Sequence, residues 1–196
     1  MEPDLRRITH FLFEVGMLKK TPRSGYKFLG SGGESVADHS FRTAVIGYVL
    51  SHIAGIEPYK VTLMCLFHDL PETRTGDQNY MNKKYVTADE NQALLDQVKY
   101  LHFGGEIKAL IEEFQEGKSK EAMLAKDADQ LDLMLELKVQ LDLGNRQAKD
   151  WLLFAQKRLK TKEACLLADT ILNMEWTEWW FDKDSLWWVN GPEEQK

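Results

Sequence analysis

The sequence predicts an all-α protein of seven or eight helices, and three observations support this prediction. Apolar residues recur at intervals of three and four along most of the chain, which is the period of one helix face. Residue types that begin or end helices, such as Ser35, Ser119, Thr161 and Gly117, stand at the ends of these stretches. We find no persuasive alternation of apolar and polar residues, so a sheet is not expected. The length of 196 residues fits one domain with one core.

Two stretches are so apolar that they predict helices in the core. Residues 35–53 begin with Ser35 as a plausible N-cap, and Asp38 follows three residues later as in a capping box. Residues 59–70 are apolar on nearly every side, which is typical of a buried central helix, and Pro71 predicts that this helix ends or kinks there. Helical spacing also covers five later segments: 88–101, 104–116, 119–143, 146–158 and 161–180.

Two long irregular stretches interrupt the helices. Residues 20–34 are rich in glycine, which predicts a loop between the first two helices. Residues 71–87 form a second long polar loop, directly after the central helix. Loops of this length inside one domain are often functional, so we expect chemistry at these two places.

Composition excludes several classes of protein. A net charge of −6 argues against a general binder of nucleic-acid polymers, because there is no basic stripe to release counterions. Two cysteines make neither a disulfide framework nor a zinc ribbon. Acidic residues near the start argue against a signal peptide, and the longest apolar run, 44–50, is too short for a bilayer span. We therefore expect a cytoplasmic soluble protein without a membrane partner.

The central chemical observation is the pair His68-Asp69 at the end of an apolar helix. A buried helix tolerates these side chains badly unless they are paired or bound to an ion. Taken alone, the pair is explained most simply by chance or by an ion pair at a helix end. However, His39 lies near the start of another apolar helix, and Asp129 lies inside a long helix with apolar residues on both sides. Two imidazoles and two carboxylates from three helices can hold a metal ion.

This order of residues resembles the HD-domain metal-dependent phosphohydrolases, which are named after it. The motifs ESVADHS, FHDLPETRTGD and AKDADQLD resemble the branch that contains 5′-deoxynucleotidases, and the resemblance runs from about residue 5 to 180. It implies a single HD domain over 1–196, a metal-binding core at about 35–135, C-terminal helices over 146–180, and then a Trp-rich tail. It also implies that four residues hold one divalent cation: His39, His68, Asp69 and Asp129. A buried His–Asp network without a metal is the alternative.

The ligand set narrows the choice of metal without naming it. Nitrogen and oxygen donors without a thiolate suit Mn, Co, Ni, Fe(II) or Zn, and suit Mg less well. In the resembled branch, a water activated by the metal removes the 5′-phosphate from a nucleoside monophosphate, most often a deoxyribonucleotide. We therefore expect a small-molecule nucleotide as substrate.

The resemblance also implies roles for residues of both loops. Glu72 matches the acid that orients or deprotonates the attacking water and then protonates the leaving oxygen, and Asp77 supports it or holds substrate. Arg23 matches an arginine that contacts phosphate, and Tyr26 stands near an aromatic residue that contacts sugar or base. Lys126 is a candidate phosphate contact. The alternatives are a solvated acid for Glu72, a turn residue for Asp77, surface charges for Arg23 and Lys126, and loop packing for Tyr26.

The sequence also contains cysteine, aspartate and histidine residues that we do not expect to bind the metal. Cys65 reads as a small buried hydrophobe. Asp127 and Asp132 flank Asp129 at other angles around the helix, so we expect them in solvent or in an outer position behind the ligands. Three histidines are expected to be packed or exposed side chains rather than ligands: His10, His52 and His102.

Two other functions remain open at this stage. One is an HD phosphodiesterase or pyrophosphohydrolase that acts on a signalling nucleotide, and the other is a non-catalytic nucleotide-sensing module. The tail, EWTEWWFDKDSLWWVNG, is expected to close the core or to contact a second copy of the chain rather than to stack on a base. This tail and the habit of the resembled proteins predict a homodimer.

Overall fold

The computed structural model describes residues 4–192, which fold into helices without a β-strand among them. Eight of these helices have nine residues or more, so the predicted all-α class is confirmed. Three further helices have four residues each. In chain order the helices are α1 Leu5–Val15, α2 Tyr26–Leu29, α3 Val36–Ala54, α4 Tyr59–Phe67, α5 Glu72–Thr75, α6 Glu90–Val98, α7 Gly104–Glu116, α8 Lys120–Asp142, α9 Ala148–Gln156, α10 Lys162–Asn173 and α11 Trp187–Asn190.

Helices α3, α4 and α8 pack together at the centre of the protein. Fully buried apolar side chains lie between them, including Leu50, Met64 and Leu131. Helix α4 packs directly against Gly47 of α3, where a Cβ atom would lie 2.6 Å from Cys65 Sγ. Because Gly47 has no side chain, the Cys65 side chain fits against the backbone of α3, and the residues that follow on α4 are brought close to α3.

Local capping residues start the central helices where the sequence predicts. Ser35 accepts a hydrogen bond from the Asp38 amide, and the Asp38 carboxylate accepts one from the Ser35 amide, which completes a capping box. Ser119 caps α8 and Thr161 caps α10 in the same way, through their hydroxyl groups. These contacts satisfy amide groups that a helix leaves unpaired at its first turn.

The central helix is shorter than predicted, and the difference matters for the site. It ends at Phe67 rather than at residue 70, and His68 follows as its C-cap. Pro71 has no amide hydrogen to continue the helical ladder, and the chain turns through Leu70 before α5 begins at Glu72. The two predicted loops also contain short helices, α2 and α5.

The C-terminal prediction needs two corrections. The helix predicted over 161–180 ends at Asn173, because Met174 is extended and the residues after it include bulky and β-branched types that favour helix weakly. The Trp-rich tail does not close the core. Trp179 is 81% exposed and Trp187 is 51% exposed, while Trp180 packs with Phe181 and Trp188 in a small surface cluster.

Across residues 4–192, no helix combines the length and the apolar character that a membrane crossing requires.

Candidate active site

The two histidines of the motif meet in the interior, although they come from different helices. His39 lies in the first turns of α3 and is fully buried, and His68 lies at the end of α4. Their Nε2 atoms are 3.3 Å apart. The tight packing of α3 on α4 therefore brings both imidazoles to one point.

Two carboxylates face the same point. Asp129, from the middle of α8, places Oδ1 3.2 Å from His39 Nε2. Asp69 places Oδ2 3.2 Å from His68 Nε2 and 3.6 Å from His39 Nε2. The structure thus brings all four predicted ligands together, and three of them, His39, His68 and Asp129, form a group with donor atoms within 4.8 Å of one another.

The remaining ring nitrogens are engaged elsewhere. His68 Nδ1 lies 2.7 Å from the carbonyl oxygen of Cys65, which can only accept a hydrogen bond. His39 Nδ1 lies 2.6 Å from Oδ2 of Asp132. These partners place a proton on each Nδ1 and direct each Nε2 toward the cluster, which is the arrangement of histidines that bind a metal.

The donor set fits a divalent cation. Oδ2 of Asp69 is buried and, besides its ion-pair contacts with the imidazoles and Arg23, has no hydrogen-bond partner among the described residues, so it can accept a cation. Although burial raises the pKa of a carboxyl group, the two imidazoles and Arg23 lower the pKa of Asp69 to about 2. A hydrogen bond from His39 likewise holds the pKa of Asp129 below its usual range against the effect of burial. Both carboxylates are therefore ionised acceptors at neutral pH.

The pKa of His39 also indicates that the cluster attracts positive charge. Burial and the nearby Arg23 lower its pKa, but hydrogen bonds to Asp129 and Asp132 outweigh them and raise it to about 10. A cation at the Nε2 side would satisfy these carboxylates in place of that proton.

Asp132 contacts His39 on the side away from the cluster, in a position that the sequence left undecided. Its side chain is fully buried, and it accepts hydrogen bonds from His39 and from Arg42. Arg42 also donates to Glu136. The expected outer position, behind the predicted ligands, is correct for Asp132. The sequence indicated it by the spacing, because Asp132 follows Asp129 by three residues on the same helix. Asp127 differs: it is buried and holds Thr161, the capping residue of α10, by accepting from the Thr161 amide at 2.7 Å.

Glu72 lies beside the cluster at the start of α5. Its Oε2 atom is buried without a hydrogen-bond partner in the described part of the chain. Burial, together with the charges of Asp69 and Asp77, raises the pKa of Glu72 to about 9. At neutral pH the carboxyl group therefore holds a proton that it can donate, which fits the acid role better than that of a solvated loop residue.

Asp77 joins the two loops. One carboxylate oxygen accepts from the Ser24 amide at 2.5 Å and from the Ser24 hydroxyl at 2.7 Å, and the other lies 3.5 Å from Arg23 Nη1. The same nitrogen of Arg23 lies 3.5 Å from Asp69 Oδ2. Because Asp77 is occupied by these contacts, its geometry favours a role in positioning Arg23 over proton transfer.

Tyr26 and Lys126 are placed differently. The Tyr26 hydroxyl donates to Glu34 Oε1 at 3.0 Å while its ring lines the cavity, and burial raises its pKa so that it stays neutral. Lys126 is not among the cavity-lining residues, and its ammonium lies 5.0 Å from the centre of the Phe114 ring. The substrate roles of both residues stay predictions.

A cavity of about 590 Å³ opens above the ligands. Asp69, Glu72 and Asp129 line its inner end with Arg23. Its other walls come from α2, the loop after α5, α8 and α9, and they include aromatic side chains such as Tyr80 and Trp151. A ligand with a phosphate and a flat ring system would meet suitable groups at both ends.

The remaining residues of metal-binding type are structural. Cys65 is fully buried between α3 and α4, and burial raises the pKa of its thiol. His52 packs against the Tyr48 ring on α3, with ring centres 4.6 Å apart. His10 and His102 are exposed. The interpretation of these residues as other than ligands agrees with their positions.

This helical bundle with an H…HD…D cluster defines the class of the protein. The family model described as HD domain matches residues 15–169, which is most of the chain, so the protein belongs to the HD domain family. The resemblance predicted from the three motifs is therefore confirmed.

Curated relatives carry a more particular name. The 5′-deoxynucleotidase HDDC2 of Bos taurus is 29% identical over 150 residues, which are 74% of this chain and 73% of the relative. The 5′-deoxynucleotidase HDDC2 of Dictyostelium discoideum is 32% identical over 134 residues, covering 62% of this chain and 70% of the relative. Among solved structures, the PH0347 protein from Pyrococcus horikoshii OT3 superposes with a TM-score of 0.69 at 30% identity, covering 83% of this chain and 97% of that one.

Proposed function

We propose that the protein is a metal-dependent phosphomonoesterase that removes the 5′-phosphate from nucleoside monophosphates, with deoxyribonucleotides as the preferred class. The observation that carries this proposal is the convergence of His39, His68, Asp69 and Asp129 at one point, beside a cavity that Arg23 and Glu72 line together with the two aspartates. The 5′-deoxynucleotidase name of the relatives supports the choice of substrate.

Different residues of the site bind the cation and the phosphate. His39, His68, Asp69 and Asp129 would hold one divalent cation, for which Mn, Co, Ni, Fe, Zn and Mg are the candidates. When bound, such a cation supplies Lewis acidity for a phosphoryl oxygen and lowers the pKa of water. Arg23 keeps its charge, because the carboxylates around it raise its pKa despite burial, and its guanidinium binds phosphate oxygens.

Proton transfer falls to Glu72. Its carboxyl group carries a proton near neutral pH and lies beside the ligand Asp69, so it can donate that proton to the leaving ribose oxygen. A proton taken from the attacking water would return the carboxyl group to its starting state. Asp77, which Ser24 holds by two hydrogen bonds, keeps Arg23 in place during these steps.

A phosphate-release screen tests the proposal. Purified protein is given 5′-nucleotides and 5′-deoxynucleotides with each candidate metal, and free phosphate is measured. We expect release that requires added metal and that disappears in Asp69→Ala and Asp129→Ala, whereas Asp150→Ala, an exposed acid on α9, retains it. Pyrophosphate or triphosphate as product would instead favour a pyrophosphohydrolase, and binding without turnover in every metal would favour a sensing module.

We also propose a cytoplasmic homodimer without a nucleic-acid polymer or a membrane as partner. Both cysteines are free, which suits a reducing compartment, and the acidic net charge disfavours polyanions. One face of α3 carries exposed apolar side chains at helical spacing, which suits packing against a second copy. These side chains are Phe41, Val45, Tyr48, Val49 and Ile53. Light scattering on the purified protein, with Phe41→Glu as the variant expected to be monomeric, tests the dimer.

A further inference from the structure

The outer end of the cavity carries exposed aromatic side chains. Tyr80, in the loop after α5, is 65% exposed, and Phe154 on α9 is 60% exposed, yet both line the cavity whose inner end holds the metal-ligand cluster. Large exposed rings that converge on a cavity from separate elements are typical of a surface that a ligand covers.

Arg158, which follows α9, connects this outer end with the ligands. Its guanidinium carbon lies 4.5 Å from the centre of the Tyr80 ring, and its Nη1 donates to Gln130 Oε1 at 3.2 Å. Gln130 Nε2 in turn donates to Oδ2 of Asp129 at 3.0 Å. Arg158 is exposed and forms no ion pair with any residue between 4 and 192, so its charge faces neutral partners in the cavity wall.

The loop that carries Tyr80 is tied to the phosphate end of the cavity. The backbone amide of Asn79 donates to the Ser24 hydroxyl at 3.1 Å, and the side-chain Nδ2 of Asn79 donates to the same hydroxyl at 2.9 Å. Ser24 is also held by Asp77, beside Arg23. The distance between Tyr80 and the phosphate-binding arginine is therefore set by hydrogen bonds rather than left to a free loop.

We propose that Tyr80 and Arg158 form a clasp that closes over the base of the bound nucleotide. The inference rests on the proposed function, because a phosphate at Arg23 and the cluster sends the attached sugar and base toward the outer end of the cavity. A base offers a flat π face, and both a tyrosine ring and a guanidinium plane stack on such a face. Phe154 supplies a further apolar surface beside the pair.

The clasp also links occupancy of the base site to a metal ligand. When Arg158 moves onto a base, its hydrogen bond to Gln130 changes. Gln130 in turn donates to the carboxylate of Asp129. Substrates with a base would therefore set Asp129 differently from substrates without one. This is a positioning effect on Asp129 rather than a step in the chemistry.

The decisive comparison uses dAMP and 2-deoxyribose 5-phosphate, which share the phosphate and the sugar but not the base. In Tyr80→Ala and Arg158→Ala we expect kcat/KM for dAMP to fall about tenfold or more beyond any fall for deoxyribose 5-phosphate. Tyr80→Phe keeps the ring and should keep the wild-type ratio of the two substrates. Tyr85→Ala, in the same loop, and Arg146→Ala, before α9, lie outside the cavity lining and should leave both substrates unaffected.

Binding of deoxyadenosine, measured by calorimetry, gives a readout that does not depend on turnover. We expect both alanine variants to bind it at least several-fold more weakly than the wild type. Equal losses on the two phosphate substrates, with deoxyadenosine binding unchanged, would overturn the clasp. If the wild type released phosphate from neither substrate, the proposed function would fail, and deoxyadenosine binding would still decide whether the base site exists.

Discussion

Asp132 Oδ2 lies 2.6 Å from Nδ1 of His39, and this contact joins α8 to α3 behind the metal-ligand cluster. Arg42 holds the other oxygen of the same carboxylate, so the acceptor is itself fixed. The imidazole is thereby locked in one orientation, with Nε2 toward His68. An imidazole held in this way would need no reorganisation to bind an ion.

We expect Asp132→Asn to weaken the affinity for divalent metal by about 10- to 100-fold, because the ring loses its charged partner. Calorimetric titration of the metal-free protein with Mn²⁺ measures the change directly. Asp150→Asn, an exposed acid on α9, is the matched control and should keep the wild-type affinity. An unchanged affinity in Asp132→Asn would show that the contact does not orient His39.

The raised pKa of Glu72 predicts a pH dependence of stability in the metal-free protein. The folded protein retains this proton up to about pH 9, whereas the unfolded chain loses it near the ordinary value of 4.5. The folded state binds more protons in that interval, so the stability contributed by this group is greatest below about 4.5 and is lost as the pH rises toward 9.

Glu72→Gln removes this ionisation while keeping a similar shape. Relative to the wild type, we expect the free energy of unfolding of the variant to rise progressively between pH 5 and pH 8, measured by urea denaturation. A constant difference between the two proteins across that range would contradict the raised pKa.

Asp77→Ala should raise KM more than it lowers kcat. The substitution releases the Ser24 amide and hydroxyl and removes one of the two carboxylates beside Arg23, so the phosphate-binding guanidinium is held less firmly. We expect an increase in KM of about tenfold, and a smaller one for Ser24→Ala, which loses the hydroxyl contacts with Asp77 and Asn79 but keeps the amide contact with Asp77. A fall in kcat with KM unchanged would instead place Asp77 in the chemical step.

Gly47→Ala should destabilise the protein by about 1–3 kcal/mol, because the new Cβ would lie 2.6 Å from Cys65 Sγ and force α3 and α4 apart. Gly105→Ala is the control, since no neighbouring atom lies within 4 Å of the Cβ that it adds to α7. That variant should be neutral or slightly more stable. Thermal or denaturant unfolding of both variants distinguishes packing from helix propensity.

Much of the fold was predictable because its signals are local. The capping residues Ser35, Ser119 and Thr161 start helices within one turn of their own positions, and apolar spacing needs no knowledge of distant residues. Helix ends were less certain: the central helix stops at Phe67, before Pro71, and the last long helix stops at Asn173.

The sequence by itself determined the helical class and the order of the four predicted ligands. Only the tertiary structure decided that Asp132 supports His39, that Asp127 holds the capping residue of α10, and that Arg158 reaches Tyr80. The periodicity of a helix gives the angle at which a side chain leaves it, but not which neighbouring helix covers that angle. The surroundings of each carboxylate on α8 are set by the helices that pack against it, and these come from distant parts of the chain.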